Sequence, residues 1–256
     1  MGEIAYDVLN SEGTAVFMCL TAGDAGRGDA FWMSREEAML AAIRSALPHV
    51  NGTVGNETKG EMSVLGGNKT IHFHKIGQHE SYFFRFPDGM PNGMGLYQWH
   101  YQSLSRISAG EIPAIVSVAD ASNVFTRNDI LAIIRNIVQT SQLGKPVVTL
   151  HLLDAGMHLR STHADHIASR DIALMAVGPG TQQTCMHMMT HEDYRIQYRL
   201  QNLLGLAQRK KDTIFRAYQA IMNEFRVGEC CSGVYFEWLL RSYFNLTLCP
   251  HSGTHK

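Results

Sequence analysis

The order of elements at the start of the chain limits the fold more than any other feature. Thr14 to Leu20 is an apolar run rich in β-forming residues, and it ends abruptly in Thr21-Ala22-Gly23-Asp24-Ala25-Gly26-Arg27-Gly28. A buried strand that feeds a Gly-rich loop and then a helix is the opening of an α/β crossover. The helix follows: Ser34 precedes Arg35-Glu36-Glu37, with Ala, Met, Leu and Ile at helical spacing through Leu47. Ser34 with Glu37 three residues on predicts a capping box, and Pro48 with Asn51-Gly52 predicts the stop.

The alternation continues along the chain. Residues 52 to 70 are polar and Gly-rich, which predicts a loop or a poorly formed hairpin. Ile71–Ile76 and Ser81–Phe86 read as strands, and Pro87 to Gly95 is rich in turn residues. Ile112–Val118 is a strand that leads into Asp120 and a polar loop. Thr126 to Thr140 is an amphipathic helix with Ile130, Ile133, Ile134 and Ile137 on one face. Lys145-Pro146 restarts the chain into strand Val147–Leu153, and Ile167 to Val177 is the next helix. Strands alternating with helices predict one α/β domain over residues 1–256, with a doubly wound, mostly parallel, Rossmann-like sheet. Ligands in such sheets bind beyond the carboxyl ends of the strands. Three loops that follow strands are therefore expected to converge on one site: Gly23-Asp24-Ala25-Gly26, Pro87-Asp88-Gly89 and His163-Ala164-Asp165-His166.

Composition removes several function classes. The formal net charge of -1 implies no general attraction to nucleic acid or anionic membrane. The longest apolar runs are strand-sized and far short of a bilayer span, and no charged-then-apolar leader opens the chain. The five cysteines, Cys19, Cys185, Cys230, Cys231 and Cys249, lack CxxC spacing, so neither a disulfide framework nor a zinc ribbon is expected. Cys19 reads as a small core residue.

Thr162-His163-Ala164-Asp165-His166 carries the chemistry, with two imidazoles and a carboxylate in four consecutive positions at a helix start. Imidazole and carboxylate are the usual donors for zinc, and a catalytic zinc needs three protein ligands and an open position. With 13 histidines in the chain, a surface pair at this spacing is the competing reading. Arg35 at a helix start is either ion-paired or aimed at a substrate. Asp88 and Asp24 serve turns first, and Asp120 follows a strand. His72, His74 and His79 are expected to be exposed. Met186, Met188 and Met189, which flank His187 and precede His191, read as mobile or packing side chains. A metal site rebuilt locally would join His166 to His151, His158 or Asp7.

Taken in order, these motifs resemble the LmbE-like or PIG-L family of zinc-dependent deacetylases acting on N-acetylglucosaminyl compounds. The resemblance runs from about residue 14 to about residue 244. It rests on Leu20-Thr21-Ala22-Gly23-Asp24-Ala25-Gly26, Trp32 with Arg35-Glu36, and Phe84-Arg85-Phe86-Pro87-Asp88-Gly89. It extends through Thr126-Arg127, His163-Ala164-Asp165-His166, and a late helix with Asn202, Lys210 or Lys211, and Tyr218. It implies a Zn2+ cofactor with His166 as a metal ligand. It also implies His163 as the group that stabilises the oxyanion or protonates the leaving amine, with Asp165 orienting an imidazole. Arg35, Arg85 and Asp88 are the candidates for sugar hydroxyls, and the implied substrate is an N-acetylglucosamine-containing small molecule or glycoconjugate. One departure stands out: no HPDD-type motif, which supplies the family's other ligands and its base, occurs in the first 70 residues. Met1 to Asn10 reads as the tail of the helix that follows that motif, which implies a late start. The alternative is a non-catalytic relative that keeps the fold and a sugar-binding cleft.

Overall fold

The apolar run at the start of the chain does form a strand, and the residues before it form a helix. In a computed structural model describing residues 2–48, 55–67, 69–145, 147–154, 162–178, 185–224 and 234–248, the order is α1 (Gly2–Leu9), β1 (Val16–Thr21), α2 (Asp29–Ala46), β2 (Glu57–Val64), β3 (Lys69–Ile76), β4 (His79–Phe86), α3 (Leu104–Ala109), β5 (Ala114–Ser117), β6 (Asp120–Thr126), α4 (Arg127–Gln142), β7 (Val147–Leu153), α5 (Ala164–Ala176), β8 (Cys185–His191), α6 (Gly205–Glu224), α7 (Val234–Leu239) and β9 (Phe244–Thr247). Asn51, Gly52, Pro146, His158, Cys230, Cys231 and Cys249 lie outside the described residues. No helix among the described residues is long and apolar enough to cross a membrane.

The fold is mixed α/β, with strands in three sheets ordered β1-β4-β3-β2, β5-β6 and β7-β8-β9. β1 runs parallel to β4, and β7 runs parallel to β8. The other four pairs are antiparallel, so the described strands do not make the mostly parallel sheet expected from the alternation. The reason is local. Gly77 and Gln78 alone join β3 to β4, and a connection that short closes a hairpin but cannot make a parallel crossover. β2 pairs antiparallel with β3, the hairpin that was one of the two expectations for residues 52 to 70, whereas β6 falls where a polar loop was expected, because it presents mostly exposed polar side chains.

The start of α2 also differs from the expected capping box. The helix begins at Asp29, and the Trp32 indole donates to the Asp29 carboxylate at 3.0 Å across the first turn. Ser34 is therefore inside the helix, where its hydroxyl donates to the Phe31 carbonyl at 2.7 Å. His74 and His79, expected to be exposed, are buried. β3 is an inner strand, Glu57 on β2 takes the His74 ring at 2.8 Å, and His79 Nδ1 accepts from the Ala15 amide at 3.1 Å.

The main core lies where the isoleucine face of α4 meets Phe84 and Phe86 of β4, Phe125 of β6, Leu104 and Ile107 of α3, and Ile172 of α5. A second cluster sets α1 and α2 against β3 and β4 through Leu9, Leu40, Ile43, Ile76 and Phe83. α4 is started by a capping box one residue before its first turn. Thr126 Oγ1 accepts from the Asp129 amide at 3.2 Å, and the Asp129 carboxylate accepts from the Thr126 amide at 2.8 Å. Thr126→Ala is expected to cost about 1 kcal/mol of stability in a urea titration; a change near zero would mean that the cap does not hold in solution.

Candidate active site

Because β1 and β4 are parallel, the loops that follow them leave the same end of the sheet. Gly23 and Gly26 take positive φ angles of 62° and 71°, which turn the first loop tightly around Asp24. The Asp24 carboxylate is buried and accepts from the Asp88 amide at 2.9 Å and from the Trp99 indole at 3.2 Å. Asp24 thereby fixes the turn that carries Asp88. The third loop arrives at the start of α5. The Gly89 amide donates to Asp165 Oδ2 at 2.9 Å, and a Cβ at Gly89 would lie 2.3 Å from Asp165 Oδ1, so only glycine fits there. His163 is the N-cap of α5, and its Nδ1 accepts from the Asp165 amide at 3.2 Å. Its Nε2 faces Asp88 Oδ1 at 3.5 Å. The three loops thus converge, as expected from their positions after strands.

The electrostatics of this group follow from its burial. Burial opposes the charged form of His163, but the Asp88 hydrogen bond and the charges of Asp165 and Asp88 outweigh it and raise its pKa. Asp165 is pushed up to about 7, first by burial and then by repulsion from Asp88, against the Gly89 amide. Asp88 is buried too, yet His163 and the Met90 amide hold its carboxyl below the usual range. Asp88 is therefore ionised at neutrality, Asp165 titrates near it, and His163 holds its proton more firmly than an ordinary imidazole. Asp165 Oδ1 has no hydrogen-bond partner among the described residues. One ligand atom each from Asp88, His163 and Asp165 lies within 4.8 Å of the others, so this buried group can hold a metal ion. Two carboxylates and an imidazole suit a borderline divalent cation, and the partnerless oxygen gives it a free donor.

Folding raises the Asp165 pKa from the usual 3.8 to about 7, so its native form prefers the proton. The stability tied to that proton is complete below about pH 4 and is lost as pH rises through about 7. In metal-free protein, Asp165→Asn keeps an acceptor for Gly89 and removes this loss. Its stability relative to wild type should rise by roughly 1–3 kcal/mol between about pH 5 and about pH 8 in urea titrations. A difference that stays flat with pH would contradict the burial argument.

The second imidazole, His166, has its ring 5.6 Å from that of His163 and lines a cavity of about 1110 Å³. Phe31, Arg35, Asp193, Tyr194 and Tyr218 share that wall. His166 Nδ1 lies 3.6 Å from Asp193 Oδ2. Burial and the charge of His163 lower the His166 pKa against the pull of Asp193. Arg35 projects from α2, donates to the Gly23 carbonyl at 3.0 Å, and its charge bears on Asp88, His163 and His166. Arg85 is engaged elsewhere. Its Nε and Nη2 each lie 2.8 Å from a Glu36 oxygen, and the guanidinium sits 4.9 Å from the Trp32 ring centre.

The locally rebuilt metal site does not form among the described residues. His151 pairs with His191 at 3.0 Å, and Asp7 pairs with Lys210. Asp120 closes the β5–β6 turn onto Ser122. In the late segment, Lys211 ties α6 to the Trp238 carbonyl at 2.7 Å, and Asn202 exchanges two hydrogen bonds with the Ser242 backbone. Sequence reasoning missed Asp193 and the bracing role of Asp24. Asp193 follows β8 directly, and β8 is parallel to β7, so the same strand-end rule would have pointed to it.

No protein-family model, curated protein or solved structure matches the chain.

Proposed function

We propose that the chain is a metal-dependent amide hydrolase that removes the N-acetyl group from an N-acetylglucosamine-containing substrate, with zinc as the metal. The observation that carries this reading is His163 held between Asp88 and Asp165, beside a second imidazole that opens onto a cavity large enough to admit a glycoside. The gathering of the three loops beside the ends of the parallel pairs β1–β4 and β7–β8 supports a site of the LmbE-like type.

His163 Nε2 faces Asp88 at 3.5 Å, and Nδ1 lies 3.8 Å from the Asp165 carboxylate, so a ring protonated at Nδ1 exchanges the Asp165 amide hydrogen bond for that carboxylate. Its neighbours also favour the protonated ring. His163 is therefore the proton donor, and His166, which faces the cavity, is the metal ligand. A zinc ion held there would lower the pKa of its water to about 7 and polarise the amide carbonyl. The remaining work falls to side chains. Protonated His163 stabilises the oxyanion as charge develops and passes its proton to the departing amine. Asp88, ionised at neutrality, favours the charged ring, and Asp165 helps to align it. Arg35, on the cavity wall, offers donors to sugar hydroxyls, and Phe31, Tyr194 and Tyr218 supply flat apolar faces for the ring.

The test is to incubate the zinc-loaded chain with N-acetylglucosamine and with N-acetylglucosaminides, following free acetate and primary amine together. Equal release of the two is expected. Binding of these compounds with no release would overturn the reading in favour of a non-catalytic sugar-binding relative.

A further inference from the structure

The loop after β8 holds a carboxylate that the reading above does not use. The Asp193 side chain is only 2% exposed, and both its oxygens lack a hydrogen-bond partner among the described residues. A buried carboxylate without hydrogen bonds is costly and favours a cation beside it. Its ion-pair partner is His166 Nδ1, itself buried and without a hydrogen-bond partner among the described residues. Their separation of 3.6 Å is too long for a hydrogen bond. It is, however, the separation of two ligands on one ion: with bonds of about 2.1 Å to each, the angle at the metal is roughly 120°, near tetrahedral. The two residues come from the first turn of α5 and the end of β8, and the parallel register of β7 and β8 brings those segments together. Both residues line the cavity, so further positions on the ion would face water or substrate.

We infer that His166 Nδ1 and the Asp193 carboxylate bind one divalent transition-metal ion on the cavity wall, distinct from the Asp88–His163–Asp165 group. The inference rests on the reading of His166 as a metal ligand and adds a second protein ligand to it. The second Asp193 oxygen allows bidentate binding. The ion stands next to His163, the proton donor, as amide hydrolysis requires.

The probe is Co2+, titrated into the metal-free 256-residue chain and followed by visible absorption and calorimetry, with circular dichroism as the folding control. Wild type should take up one tightly held cobalt. Asp193→Asn, which also removes a buried charge, should weaken it by more than about tenfold, while Asp88→Asn leaves it unchanged. Asp193→Cys should introduce a thiolate-to-cobalt charge-transfer band. Unchanged binding in Asp193→Asn with loss in Asp88→Asn would overturn the inference and leave a metal-dependent enzyme with its ion among Asp88, His163 and Asp165. Cobalt bound by Asp193→Cys without that band would also overturn the inference. No cobalt bound by wild type would overturn the inference and the proposed function together.

Discussion

His163→Ala is expected to reduce acetate release by the zinc-loaded chain about 10²–10⁴-fold, with the fold retained. The loss would follow from the position of His163. It is the imidazole set between the Asp88 and Asp165 carboxyls, and that setting favours its charged form. An alanine there leaves the amine to depart unprotonated. The pH profile gives the sign of the argument. An acid works only while protonated, so activity should fall as pH rises through the raised His163 pKa. Asp88→Asn removes the nearest stabilising charge, which lowers that pKa and moves the alkaline limb to lower pH. A profile unmoved by Asp88→Asn, or a His163→Ala chain with near-wild-type rates, would show that the proton comes from elsewhere.

The largest stability effect is expected at Phe86. Its side chain is fully buried and meets Phe84 at 5.6 Å and Phe125 edge-on at 5.2 Å between ring centres. Phe86→Ala should cost about 3–5 kcal/mol, the range for a large core side chain whose cavity cannot collapse. That is a large share of the roughly 5–15 kcal/mol by which domains are stable. The same residue positions the site. Its carbonyl accepts from the Ala22 amide at 2.8 Å, and Asp88 lies two residues further on. The variant should therefore lose activity at temperatures where it remains folded. A urea midpoint within error of wild type would mean that the β4–β6–α4 core is packed differently.

Much of this arrangement was legible in the sequence, for identifiable reasons. β1 announces itself as a continuous run of β-forming apolar residues, and α4 by an isoleucine periodicity that reflects burial. The loops bearing Asp24, Asp88 and His163 were found because each follows a strand and carries residues suited to turns or caps. β6 was not, since a strand with mostly exposed polar side chains looks like a loop when its partner is unknown, and for the same reason β2 was legible only as a loop or a hairpin. Pairing direction was misjudged where a two-residue turn decides it. The burial of His74 and His79 depends on neighbours far along the chain, Glu57 and Ala15 among them. Asp193 went unseen because Cys185–His191 is rich in methionine and histidine and was not read as a strand, so its end was not searched for a ligand.

The most direct test of the central claim is the zinc content of the purified 256-residue chain, by elemental analysis, beside His166→Ala. About one zinc per chain, lost in the variant, is the predicted result. No zinc in either protein would contradict a metal-dependent hydrolase.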